Sequence, residues 1–184
     1  TFGAIDDNIR HSITKLSQYH LVSHKKYLDR VLQLGEEKWR VKNLGAPGLD
    51  SLIEKGKKDF FKIDFIKRNK IKKKNYILVC LNPETRALED IQNHTKQLIN
   101  FLSHKKDLKI FTYPNSDPGC EIIISCFKKF SKSDKNSILV KNFDNDTFYP
   151  ILKNSKFLIG NSSVGIVEAA SFNLPVINIG DRQK

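Results

Sequence analysis

The sequence predicts an α/β protein built on a doubly wound parallel sheet. Three observations predict it. From residue 75 onward, apolar runs of strand length recur; an amphipathic helical stretch follows each; and small or polar residues mark the turns between them. Runs that are apolar throughout belong to strands covered on both faces, and their alternation with helices calls for right-handed crossovers between parallel neighbours.

"NYILVCLN" (75–82) is the first strand of this series. "PETRALEDIQNHTKQLINFLSHK" (83–105) follows as a helix, with Pro83 expected at its start and Leu88, Ile91, Leu98, Ile99 and Leu102 at near-helical spacing. "LKIFTYPN" (108–115) leads to a helix around "CEIIISCFKKFSK" (120–132). "SILVKNF" (137–143) leads to "DNDTFYPILKNS" (144–155), where Asp146 is the expected N-cap. "KFLIG" (156–160) leads to a helix at "SVGIVEAASF" (163–172), and "PVINIG" (175–180) closes the series. The pattern is Rossmann-like, and ligands of such sheets bind beyond the carboxyl ends of the strands.

Residues 1–47 read as the closing elements of a different unit. They comprise a helix through "DDNIRHSITKLSQ" (6–18), a strand at "YHLVSH" (19–24), a helix at "KKYLDRVLQLG" (25–35) and a short strand at "RVKNLGAP" (40–47). Two strands are too few for a stable sheet of their own. Residues 48–74, polar and Lys-rich with helical character, read as a linker, and 75–184 as the main domain.

The bulk composition narrows the function. With 184 residues and 39% hydrophobic content, the chain is expected to pack a globular core. No apolar run approaches the ~18 residues of a membrane span, and "TFGAIDDNIR" lacks the basic start and apolar core of a signal peptide, so a soluble cytoplasmic protein is expected. Cys80, Cys120 and Cys126 are odd in number and lack the close Cys/His pairs of zinc sites, so they read as reduced thiols, with no metal. The formal charge of +12 raises nucleic-acid binding. Its lysines are scattered, however, and the densest run, "KRNKIKKKN" (67–75), has no interleaved aromatics for base stacking, so it reads as a solvated surface. The chain has no Met, which fits a processed product or a fragment.

The most informative stretch is "FLIGNSSVGIVEAASFNLPVINIGDRQ" (157–183). Gly160 permits a tight reversal after a strand, and Ser162 or Ser163 can cap the next helix. Backbone N–H groups, two hydroxyls and the positive end of a helix dipole would then meet at the ligand edge, an arrangement suited to a diphosphate. Glu168, about five residues into that helix, would lie roughly 7 to 8 Å further along its axis, within reach of a sugar hydroxyl. Arg182, after the next strand, adds a guanidinium at the same edge. Taken singly, each of these residues has an ordinary structural explanation, as a cap, a solvated carboxylate or a surface ion pair; their joint placement points to a nucleotide.

"GNSSVGIVEAASFNLPVINIGDRQ" resembles the diphosphate and ribose signature of the hydrolysing UDP-N-acetylglucosamine 2-epimerases, above all the branch that begins sialic and legionaminic acid biosynthesis. "TFGAIDDNIRHSITKLSQYHLVSH", "NLGAPGLD" and "YPNSDPG" resemble the same family in the same order. The resemblance implies a two-domain GT-B fold of Rossmann-like domains, residues 1–47 closing the first, with a UDP-sugar between the domains and a full length of about twice this chain. It implies release of UDP from UDP-N-acetylglucosamine through a 2-acetamidoglucal, then addition of water to give N-acetylmannosamine. No metal or redox cofactor is needed, and a homo-oligomer is implied at full length. A bacillosamine-type UDP-sugar is a close alternative substrate, and a non-catalytic UDP-binding module is an alternative for the chain itself.

Carried over by position, the resemblance implies a catalytic role for Asp7, with Arg10 one helical turn on to orient it and Asp6 as the neighbouring candidate. It places Asn115 at the ligand, Phe148 at the base, Ser162 and Ser163 at the diphosphate with Arg182, and Glu168 at the ribose. One departure stands out. Family members read His-Pro where this chain has Asn82-Pro83, and an amide can hydrogen-bond a phosphate or sugar oxygen but cannot exchange a proton near neutral pH. His11, His20, His24, His94 and His104 are expected in surface or packing roles.

Overall fold

The computed structural model describes residues 6–85 and 87–183, with Asp6 described by its backbone only. The first five residues of the quoted N-terminal motif and the side chain of Asp6, the second candidate acid, lie outside the described residues. The chain divides into two compact units, residues 5–54 and 55–184.

The first unit carries α1 (Asp6–Leu16), β1 (His20–Val22), α2 (Lys25–Gln33) and β2 (Val41–Asn43). Its two strands pair in parallel, His20 opposite Val41. Such a sheet buries little, and Ile13, Leu16, Leu21 and Trp39 remain exposed. α3 (Leu52–Gly56) straddles the junction between the units.

In the second unit α4 (Asp64–Arg68) precedes five strands and four helices: β3 (Tyr76–Cys80), α5 (Ile91–Ser103), β4 (Leu108–Thr112), α6 (Cys120–Ser133), β5 (Ser137–Val140), α7 (Asn145–Asn154), β6 (Phe157–Gly160), α8 (Val164–Val167) and β7 (Val176–Asn178). All five strands run parallel in the order β5-β4-β3-β6-β7, the doubly wound arrangement expected from the alternating pattern. β3 lies at the centre, and the strand of period two splits its side chains cleanly. Tyr76, Leu78 and Cys80 enter one apolar cluster with Ile151, Leu152 and Ala169; Ile77, Val79 and Leu81 enter the other with Leu98, Leu102 and Phe127. Phe60, Ile66 and Ile71 join the first cluster, so much of the Lys-rich stretch 55–74 packs onto the sheet, while its charged side chains and Phe61 meet water.

Three local expectations are corrected. Pro83 does not open a helix: Ala87 N–H donates to the Glu84 carbonyl (2.9 Å), a 3-10 turn follows at Leu88–Asp90, and α5 begins at Ile91. The Glu84 carboxylate accepts from Asp181 N–H (3.2 Å), which ties this segment to the end of the sheet. The cap of α7 is Asp144, whose carboxylate accepts from Thr147 N–H (2.7 Å), while Asp146 pairs with Lys58 (2.6 Å). The helix at 163–172 is only one α-turn long and passes at Glu168 into a 3-10 turn, Ala169–Phe172. Gly165 and the β-branched Val164, Ile166 and Val167 make this a poor helix former. Gly165 also lies so near Val176 that a Cβ would come within 2.9 Å of its Cγ1.

Among the described residues, no helix is long and apolar enough to cross a membrane, and no group of His, Cys, Asp and Glu is arranged for a metal ion.

Candidate functional site

A doubly wound sheet opens a crevice where its strand order reverses. Here that point lies between β3 and β6, whose last registered pair is Cys80 opposite Gly160. The strands come close there, because a Cβ on Gly160 would overlap the Cys80 carbonyl, so glycine is required. The loops beyond carry Asn82 and Ser162, and the neighbouring β4 loop carries Asn115.

Polar side chains tie these loops together. The Asn161 amide, 2% exposed, accepts from Asn82 N–H (2.7 Å) and donates to the Asn82 carbonyl (2.8 Å). The Asn82 side-chain oxygen accepts from Asn115 N–H (2.8 Å). That bond fixes which way the Asn82 amide faces, because its oxygen is engaged by the chain. Asn82, Asn115, Phe148 and Ser162 together line a cavity of about 220 Å³, with Thr112, Tyr113, Lys141, Asn142 and Phe143. Sequence reasoning did not single out these last five; their one signal was a position at or just past the end of β4 or β5. A wider groove of about 820 Å³ lies alongside, between Lys58–Arg68 and the start of α7; none of the expected ligand residues lines it. The smaller cavity is the better candidate because it sits at the strand reversal.

Ser163, Glu168 and Arg182 lie outside the cavity wall. Neither serine caps strongly: Ser163 makes no side-chain cap bond, and Ser162 Oγ accepts from Val164 N–H at only 3.4 Å. Glu168 stands at the end of α8, where burial pushes its carboxyl above the usual range. Arg182 is 7% exposed and reaches Asp117 Oδ2 through Nη2 (3.5 Å). Glu168 Oε2 and Arg182 Nε are both shut off from solvent and have no hydrogen-bond partner among the described residues. Buried polar atoms are normally paired, and an orphan costs about 1–3 kcal/mol; Ser131 Oγ, on α6, is a third such atom, and those of Glu168 and Arg182 are the two that lie in the segments after β6 and β7. Cys80, beside the cavity, is a buried thiol whose pKa burial pushes up to about 11, so it stays protonated.

In the first unit, Asp7 and Arg10 lie on the first turn of α1. Among the described residues no bond joins them; Asp7 instead faces His11 at 3.9 Å, one turn further on. His20 is buried against Glu36 Oε2 (3.2 Å), and His24 caps α2 by accepting from Lys26 N–H (3.1 Å).

The model of the family described as UDP-N-acetylglucosamine 2-epimerase matches residues 1–184. Over its whole length the chain is 42% identical to a GDP/UDP-N,N'-diacetylbacillosamine 2-epimerase (hydrolyzing) of Campylobacter jejuni, covering 48% of that protein. It is 35% identical, again over its whole length, to the polysialic acid biosynthesis protein P7 of Escherichia coli, covering 47% of it. Among solved structures, the Neisseria meningitidis UDP-GlcNAc 2-epimerase bound to UDP-GlcNAc superposes on 91% of this chain and 46% of its own, with a TM-score of 0.73 at 19% identity. The chain spans about half the length of the curated relatives it matches.

Proposed function

The chain belongs to the UDP-N-acetylglucosamine 2-epimerase family, and from that premise we propose that the full-length protein is a hydrolysing 2-epimerase of a UDP-linked 2-acetamido sugar. Its first substrate is UDP-N-acetylglucosamine, and its products are N-acetylmannosamine and UDP, an opening step of sialic acid-type sugar synthesis. The observation that carries the reading is the pair of orphaned, solvent-free atoms, Glu168 Oε2 and Arg182 Nε, in the segments that follow β6 and β7. A ribose hydroxyl would donate to the first, and a diphosphate oxygen would accept from the second.

The reaction breaks the C1–O bond, the electron pair leaving with UDP as the C2 proton goes to a base. Water then adds across the resulting double bond, its oxygen to C1 and a proton to C2 from the opposite face. Arg182, Ser162 and Ser163 hold the diphosphate as charge builds on it. Phe148 and Asn115 serve the rest of the ligand. Asp7 supplies one carboxylate for proton transfer, and Arg10 flanks it. Asn82 presents its NH2 to an oxygen of the ligand, and an amide exchanges no proton near neutral pH, so the proton transfers of this protein fall to carboxylates.

A second sugar has its own support. The Campylobacter relative, 42% identical, is named for diacetylbacillosamine, which differs from N-acetylglucosamine at C4 and C6, away from the reacting carbons. The test is release of UDP from each sugar nucleotide by the full-length protein. We expect turnover of at least one; a protein that binds UDP yet turns over neither overturns the enzymatic reading and leaves a UDP-binding module.

A further inference from the structure

We infer that Asn161 is a positioning residue that sets the Asn82 amide at the nucleotide site, an inference resting on the reading of that crevice as a UDP site.

Two parallel strands diverging into separate loops would normally stop holding each other at their last backbone pair, here Cys80 opposite Gly160. The Asn161 side chain acts as one more rung. Its carboxamide has the donor and acceptor of a peptide group, and it spends both on the backbone of residue 82. The backbone of Asn161 adds a bond from its own N–H to the Cys80 carbonyl (3.1 Å) and accepts from Gln183 Nε2 (3.3 Å). Residue 82 is thereby held to β6 while the chain at Ser162 turns away, and the crevice between the two loops stays open. A backbone rung at the same level would have paired residue 162 with 82 and closed it. From there the order passes outward, because Asn115 N–H fixes the Asn82 side-chain oxygen and so sets the orientation of the whole amide at the cavity wall. Asn161 therefore need not touch the ligand; it governs where the group that does touch it stands.

Replacing the amide with a carboxyl separates this role from simple packing. An ionised carboxylate can still accept from Asn82 N–H but cannot donate to the Asn82 carbonyl, whereas a protonated one can do both. UDP binding is therefore measured calorimetrically on the full-length protein, for wild type, Asn161→Ala and Asn161→Asp, from pH 5 to pH 8. Each Kd is expressed relative to wild type at the same pH, which removes the titration of UDP itself. Asn161→Ala should weaken binding roughly tenfold at every pH, the effect of losing two buried hydrogen bonds. Asn161→Asp should approach wild type at pH 5 and fall towards the alanine variant at pH 8. In an Asn82→Ala background the alanine penalty at 161 should shrink to under about twofold, since the group it positions is gone. Relative Kd values for both variants within twofold of wild type at all pH values overturn the inference, as does an undiminished penalty in the Asn82→Ala background. If Asn161→Ala does not fold, the near-isosteric aspartate and its pH profile still decide the matter. Failure of wild type itself to bind UDP would instead sink the nucleotide reading on which this rests.

Discussion

Glu36, between α2 and β2, and Glu168, after α8, are both withdrawn from water, and the chain treats them in opposite ways. Glu36 has a side chain 6% exposed and is surrounded by nitrogen groups: Lys15 Nζ at 3.0 Å, His20 Nε2 at 3.2 Å and Arg40 Nη1 at 3.4 Å. The Lys15 hydrogen bond holds its carboxyl below the usual range, with His20 and Arg40 acting in the same direction against burial. Glu168 has no such company, its Oε2 lacks any partner among the described residues, and burial raises its pKa. The first carboxylate is committed to holding its own unit together; the second is uncommitted, as the proposed contact with a ribose hydroxyl requires.

The largest effect expected from this contrast is on binding. Glu168→Ala should weaken UDP binding by about 1.5–3 kcal/mol, more than tenfold in Kd, because a charged hydrogen bond to the nucleotide is lost. The same change should leave the melting temperature level or raise it, since an unsatisfied buried oxygen disappears from the fold. Calorimetric titration and a thermal melt on one preparation check both; a large loss of stability with unchanged affinity would make Glu168 a structural residue like Glu36.

The two carboxylates also predict opposite slopes of stability against pH. A folded-state pKa below the unfolded value means that Glu36 contributes stability present above the ordinary glutamate value of about 4.3 and lost as pH falls through its lowered pKa. A raised pKa works the other way: ionised Glu168 penalises the fold, fully so above its raised pKa, and the penalty vanishes below about pH 4.3. Glu36→Gln should thus lower the melting temperature at pH 7 and matter little in acid, and Glu168→Gln should raise it at pH 7 with no effect in acid. Melting curves across pH 3 to 7 compare them; parallel curves for the two variants would show that the chain does not distinguish these residues.

The same contrast explains what could be read in the sequence. "YILVC" is legible as a central strand because a parallel strand buried on both faces leaves an apolar run, and all five residues are buried. α5 is legible from Leu98 and Leu102, which share its buried face. The strand-end rule alone puts Ser162 at the ligand edge; the family resemblance places Asn115, Phe148 and Asn82 there, and all four line one cavity. The misplaced details depend on partners far along the chain. Glu84, next to Pro83, reaches Asp181, 97 residues on, and Asn161 finds Asn82 at a separation of 79. Nothing local in "GNSS" distinguishes a clamp from a turn residue. Likewise "DNDTF" offers two aspartates for one cap, and only the geometry that puts Asp144 before the first turn, with Lys58 near Asp146, decides between them.

The smallest expected effect comes from the caps, and it sharpens the distinction between committed and uncommitted groups. Asp144 is a committed cap, with a 2.7 Å bond from Thr147 N–H, so Asp144→Ala should destabilise the protein by about 1 kcal/mol. Ser163 occupies the corresponding place before α8 but has helical backbone angles and makes no cap bond, and α8 is a single turn. Ser163→Ala should therefore change stability by less than about 0.5 kcal/mol, the usual range for a surface site. If Ser163 is kept for a diphosphate, its loss should nevertheless weaken UDP binding by about 0.5–1.5 kcal/mol, the net value of an ordinary hydrogen bond. A serine that lowers stability as much as Asp144 when removed, with no change in UDP affinity, would be a cap after all, and the diphosphate would then rest on Arg182 and Ser162 alone.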